Sequence, residues 1–140
     1  DRMFTHGPRD ISRTVNNFKQ ENPQFGGILV SPSITTGYDF PGRECNYIIW
    51  GKVPYPYSNT PLAKGRRAAD ETTGDWEAMK SLVQGAGRGN RNASDRCETF
   101  IVDDHWGHFW KYNKEFAPAW FHRRVKGSQD LIPPPLELNQ

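Results

Sequence analysis

The sequence predicts an α/β domain built on a mainly parallel sheet. Two observations carry this reading. Stretches with helical apolar spacing alternate with short, continuous apolar runs, and polar loops follow the ends of those runs. Continuous apolar runs are what strands require when helices cover their faces. At 140 residues the chain is one domain, large enough to bury a real core. Ligands of such sheets sit at the carboxyl ends of the strands. The loops at residues 31–37, 51–57 and 103–105 are therefore where function is sought.

The elements follow in order. Residues 3–6 are a strand candidate ending at Gly7-Pro8. Asp10 can cap a helix whose apolar positions Ile11, Val15 and Phe18 fall at helical spacing. That helix is expected to end near Asn22-Pro23, because proline disfavours a helical predecessor. Gly27-Ile28-Leu29-Val30 is a compact apolar strand that breaks into Ser31-Pro32-Ser33-Ile34-Thr35-Thr36-Gly37. Tyr47-Ile48-Ile49-Trp50 is a second, ended by Gly51 and the turn-rich Pro54-Tyr55-Pro56-Tyr57. Residues 58–74 are polar and irregular, with one helical turn around residues 62–69. Asp75 then caps a helix carrying Ala78, Met79, Leu82, Val83 and Ala86. Thr99-Phe100-Ile101-Val102 is a third buried strand, ending in Asp103-Asp104. Residues 105–112 and 118–125 read as two short aromatic helices. The domain spans residues 1–126. The remainder, residues 127–140 with Pro133-Pro134-Pro135, is expected to be an extended, poorly ordered tail.

Composition bounds the function. Thirteen per cent aromatic residues, five of them Trp, argue for an ordered globule. A mean hydropathy of -0.82 leaves no room for a membrane span. No signal peptide is visible, and a cytoplasmic location is expected. The chain opens at Asp1 without a methionine and is read as a fragment of a larger product. Net charge is only +2, so a nucleic-acid partner would have to be met by local patches. Lys64, Arg66 and Arg67 form one patch, and Arg123, Arg124 and Lys126 another; each reads as a solvated face. Cys45 and Cys97 are far apart in sequence and lack metal spacing. They imply neither a disulfide framework nor a zinc site, and fit a reducing compartment.

The densest chemistry lies in Gln84-Gly85-Ala86-Gly87-Arg88-Gly89-Asn90-Arg91. Two guanidiniums three residues apart on a helical turn face roughly the same side. A pair of always-charged forks suits a polyphosphate better than a lone carboxylate. Taken alone, the stretch also reads as a glycine-rich helix end with two solvated arginines. In the loop after the first apolar run, Ser31, Ser33, Thr35 and Thr36 offer four hydroxyls and Gly37 allows a tight turn. Such groups grip a sugar-phosphate backbone without reading sequence, and they also stabilise turns. Asp39 follows closely, either as an acceptor for a ribose hydroxyl or as a turn former. Asp103, Asp104, His105 and His108 suggest a metal site, but the acids are better read as ending a strand and capping locally. Trp106, Phe109, Trp110, Trp120 and Phe121 could stack bases; their spacing favours core.

These stretches combine into a pattern. Residues 28–42 read Ile-Leu-Val-Ser-Pro-Ser-Ile-Thr-Thr-Gly-Tyr-Asp-Phe-Pro-Gly, followed by Ile48-Ile49, Lys52-Val53-Pro54-Tyr55-Pro56, the Gln84 to Arg91 stretch, and Ile101-Val102-Asp103-Asp104. In this order and spacing the set resembles the second RecA-like domain of superfamily-two DNA helicases of the XPD/DinG type, with bacterial or phage-like compactness. The resemblance covers roughly residues 3–121. Residues 31–42 look like that family's motif V, and residues 84–91 like its motif VI. The resemblance implies a three-layer RecA-like fold of the P-loop NTPase type. Set against the family, the domain is expected to lack its first strand and helix, whose place would be before Met3.

The resemblance also implies roles. Arg91 matches the arginine finger on the γ-phosphate and Arg88 its companion. Gln84, Gly87, Gly37 and Asp39 make up the expected nucleotide side, with Asp39 coupling it to DNA. Ser31, Ser33, Thr35 and Thr36 make up the expected contact to a single-stranded or forked DNA. The cofactor implied is ATP with Mg2+, bound mainly by a first RecA-like domain of the same polypeptide. No Gly-Lys-Ser or Gly-Lys-Thr phosphate loop occurs in this chain, and no cysteine quartet for an iron–sulfur cluster. Alone, the chain is expected not to hydrolyse ATP. Two alternatives stand beside this reading: a non-catalytic nucleic-acid-binding module of the same fold, and a metal-dependent hydrolase built on the Asp103 to His108 cluster.

Overall fold

The structure, a computed structural model, describes residues 2–34, 37–89 and 95–127. Strands β1 (Met3–Thr5) and β2 (Ile28–Val30) pair in parallel with Met3 opposite Ile28. Helix α1 (Ile11–Phe25) makes the crossover between them. Strands β3 (Tyr47–Trp50) and β4 (Glu98–Ile101) form a second parallel pair with Tyr47 opposite Glu98. Between these two in sequence lie α2 (Pro61–Ala69) and α3 (Thr73–Ala86); α4 (Trp106–Asn113) and α5 (Ala119–His122) follow. Short 3-10 turns occupy Gly42–Glu44 and Lys114–Phe116. The expected parallel α/β fold is present, its hydrogen-bonded ladders resolving into two two-stranded sheets among the described residues.

Each sheet has its own apolar core. Val15 and Phe18 from α1 meet Phe40, with Phe4, Leu29, Ile34 and Tyr38 packed around them. The second core joins Ala78, Met79, Leu82 and Ala86 of α3 to Val53, Phe109, Ala117 and Phe121. Met79 and Phe109 are fully buried. Burial of an aromatic or long aliphatic side chain contributes about 1.5–3 kcal/mol, so these residues anchor α3 and α4 and fix where the C-terminal end of α3 lies.

Several details depart from the sequence expectation. Helix α1 continues through Pro23 to Phe25, and Gly26, at φ +68°, follows it in the left-handed region. Packing of Val15 and Phe18 outweighs the bias that proline imposes on its predecessor. Residues 61–69 form a full helix rather than one turn. Thr60 caps it, its hydroxyl accepting from Ala63 N–H at 3.1 Å, and Pro61 occupies the first turn. Helix α3 begins at Thr73, which puts Asp75 inside its first turn instead of at the cap. The strands are also less buried than continuous apolar runs suggest. Ile28 and Ile49 are 64% and 68% exposed while Leu29 and Ile48 are half-buried, an alternation that one-sided helix packing produces. The tail from residue 128 lies outside the described residues.

Candidate functional site

The loop after β2 is shaped from within. Ser31 Oγ accepts from the N–H groups of Ser33 and Ile34 at 3.1 and 3.0 Å and hydrogen-bonds His6 Nε2 at 2.6 Å. Its hydroxyl therefore closes a turn. Ser33 is exposed. Thr35 and Thr36 lie outside the described residues. Gly37 takes φ +87° with open space around it, so the sign of φ and not crowding calls for glycine. Beyond it Phe40 is buried in the α1 core, and Tyr38 Oη hydrogen-bonds Ser12 Oγ at 2.8 Å. Lys19 donates to the Asp39 carbonyl and pairs with Glu44 at 3.1 Å. The Asp39 carboxylate stands half in solvent between these fixed points.

The second half of the site comes from α3. Its apolar face seats in the second core and leaves Gln84 exposed. Gly85 lies against Trp50: a Cβ there would stand 2.4 Å from the indole Cζ2. Gly87 N–H bonds to Val83 O at 3.3 Å, and Arg88 N–H to Gly85 O at 3.0 Å, closing the last turn. Arg88 then crosses back to the first loop. Its guanidinium donates to the Tyr38 carbonyl and lies 3.9 Å from Asp39 Oδ1, while Phe40 N–H donates to Arg88 O at 3.2 Å. The Arg88 side chain is only 12% exposed. Arg91 lies outside the described residues. The structure thus brings Asp39 and Arg88 into one junction, with Gly37 and Gly87 nearby in the chain on either side.

Three features of this junction escaped the sequence reading. The Tyr38 carbonyl is the acceptor for Arg88, Lys19 braces the Asp39 backbone, and Gly85 and Gly89 are glycines of close contact. At Gly89 a Cβ would lie 2.3 Å from Cys97 Sγ. Only the glycines left a signal, in the density of small residues at the end of α3. Tyr38 lies fifty positions from Arg88 and Lys19 twenty from Asp39, separations that leave no local pattern.

Of the two strand-end acids, Asp103 is held by backbone bonds. Asp103 Oδ2 accepts from Val53 N–H at 2.7 Å and Oδ1 from His105 N–H at 3.0 Å. These two bonds hold its carboxyl below the usual range. His105 Nε2 pairs with Tyr55 Oη at 3.2 Å. Among the described residues no three His, Cys, Asp or Glu side chains converge to hold a metal ion. Phe109 and Phe121 are core, Trp106 and Trp110 pack against it, and Trp120 stays 36% exposed. Lys64, Arg66 and Arg67 are exposed; Arg66 pairs with Glu77 at 3.3 Å beside a shallow groove of about 220 Å³ between α2 and α3. That groove is lined by none of the junction residues. No described helix is long and apolar enough to cross a membrane.

A search of curated proteins finds none that matches this chain. The model of a protein family described as the helicase C-terminal domain matches residues 2–123. The match takes in β1 through α5, and with them both halves of the junction. The chain belongs to the helicase C-terminal domain family, that of DinG/XPD-type helicases.

Proposed function

We propose that this chain is the C-terminal motor domain of an ATP-dependent DNA helicase. In this reading it supplies arginines to ATP held mainly by a first RecA-like domain, and it grips one strand of a single-stranded or forked DNA. One observation carries the reading. Arg88, at the end of α3, is tied to Tyr38 and Asp39 at the end of the loop that begins at Ser31. A nucleotide-side element and a backbone-gripping loop are thereby one mechanical unit. The chain has no phosphate loop of its own, which fits a domain that completes a site instead of containing one.

The roles divide as follows. Arg91 reaches the γ-phosphate. An arginine there stabilises the charge that spreads over the equatorial oxygens, an effect worth about 10³–10⁵ in rate. Arg88 acts as companion and bracket, holding Asp39 so that a change on the nucleotide side is felt in the loop. Gln84 helps to position the arginine pair, and Gly87 belongs to the nucleotide side. Ser33, Thr35, Thr36 and the backbone at Gly37 face the sugar-phosphate, and Ser31 shapes their loop. Mg2+ belongs with the phosphates on the first domain. Closure of the two domains, followed by hydrolysis and opening, moves the grip along the strand.

The test is Arg91→Ala in the complete polypeptide, with ATP binding and DNA-stimulated hydrolysis measured separately. Binding retained with hydrolysis lost supports the arginine-finger role. Full hydrolysis in the variant overturns it. Salt-sensitive DNA binding with no hydrolysis by the unsubstituted protein replaces the motor with the non-catalytic binding module.

A further inference from the structure

The two cysteines that sequence distance separates are neighbours in space. Cys45 precedes β3 and Cys97 precedes β4. The parallel ladder begins there, with Glu98 N–H donating to Asn46 O at 2.9 Å. The two segments therefore run one strand spacing apart. The sulfur atoms stand 3.7 Å apart across 52 residues of sequence, and both side chains are partly exposed. Gly89 closes over Cys97 from the arginine-bearing turn, and its missing side chain leaves room for the sulfur. The two sulfurs lie within hydrogen-bonding reach of each other, and the Cys45 sulfur also lies 3.3 Å from Tyr47 O. Their mutual contact pulls the Cys45 thiol below the ordinary value and pushes Cys97 up.

We propose that Cys45 and Cys97 form a reversible oxidation site, converted to an intramolecular disulfide by a small-molecule disulfide such as oxidised glutathione. The step balances without another reagent. The Cys45 thiolate attacks one glutathione sulfur, the glutathione S–S bond breaks, and one glutathione leaves as a thiolate that takes up a proton. Cys97, its proton passed to solvent, attacks Cys45 Sγ in the mixed disulfide. The Cys45–Cys97 bond forms and the second glutathione leaves. Two protein thiols are oxidised and one glutathione disulfide is reduced to two thiols. Bond formation needs the sulfurs to close by about 1.7 Å, from 3.7 Å to the length of a disulfide bond. The bond would join the segment after the Gly42–Glu44 turn to the segment leading into β4. This inference rests on the geometry of the two thiols and not on the helicase reading.

The experiment takes the reduced, purified protein through glutathione buffers of rising oxidised fraction. Thiols are counted and peptides mapped by mass, in native buffer and in urea. The expected result is joint loss of both thiols with no glutathione retained, and a cross-linked peptide pair containing Cys45 and Cys97. Closure should be at least about tenfold faster in the native protein, because unfolding drops the effective thiol concentration to that of a long flexible loop. Cys45→Ser and Cys97→Ser should each accumulate the mixed glutathione disulfide at the remaining cysteine. Stable mixed disulfides in the unsubstituted protein, intermolecular dimers only, or native closure no faster than in urea would each overturn the proposal.

Discussion

Replacing Arg88 by alanine tests the junction most directly. The guanidinium donates to the Tyr38 carbonyl from a side chain only 12% exposed. A hydrogen bond from a charged donor is worth about 1.5–3 kcal/mol net. The partner Asp39 side chain is 53% exposed at 3.9 Å, so screening reduces that ion pair to about 0–1 kcal/mol. Arg88→Ala should therefore cost roughly 2–4 kcal/mol, most of it from the carbonyl bond. Urea unfolding followed by the fluorescence of the five tryptophans reads this directly. At a slope of about 1–3 kcal/mol per molar, the midpoint should fall by about 1 M or more. Asp39→Asn should cost under about 1 kcal/mol, and its coupling to Arg88 in a double-mutant cycle should be equally small. Arg88→Ala within about 0.5 kcal/mol of the parent would refute the bracket. Asp39→Asn costing as much as Arg88→Ala would refute the division between the two bonds.

Gly85→Ala should lower stability despite a helix-propensity gain of about 1 kcal/mol, because the new methyl meets the Trp50 ring and overpacking costs about 1–3 kcal/mol. In a Trp50→Phe background the same change should become neutral or favourable; a stabilising Gly85→Ala in the parent would contradict the contact. Asp103 has a folded pKa below its unfolded value of about 3.9. Its contribution is present above that value and lost as pH falls through the lower folded pKa. Stability measured on acidification below about pH 4 should therefore drop more steeply in the parent than in Asp103→Asn. Thr60→Ala removes the α2 cap and should cost about 1 kcal/mol, seen as loss of helical signal or earlier exchange of amides in the first turn of α2.

What the sequence disclosed and what it withheld follow from range. Strand positions were readable because three or four consecutive apolar residues carry their own signal, as at Ile28–Val30 and Tyr47–Trp50. Helix α3 was readable from the spacing of Ala78, Met79, Leu82 and Ala86. Helix α2 was under-read although Thr60-Pro61 is a start signal, because Lys64, Gly65, Arg66 and Arg67 give it no apolar stripe and every residue but Ala63 is exposed. The outward halves of the strands were misjudged because an apolar run does not say how many faces are covered. Within the site, the residue types of both loops were visible. That Arg88 lands on Tyr38, and Cys45 beside Cys97, depends on parallel pairing over about fifty residues, and no window on the chain contains both partners.

The division into two apolar cores has a dynamic consequence. The β1–α1–β2 unit closes within the first thirty residues, whereas β3 must wait for β4 across 51 intervening steps of chain. Loop closure at the longer range is the slower event, so the first unit can assemble before the second. The two then meet along a seam crossed by Phe40 N–H to Arg88 O, Arg88 to Tyr38 O, and Gly42 N–H to Asp95 Oδ1 at 3.2 Å. Regions joined by polar ties and not by a shared apolar core can open at lower free energy than the cores they connect. The Phe40 amide is thus a gauge for parting at the seam, and its exchange rate distinguishes separation of the two units from unfolding of either.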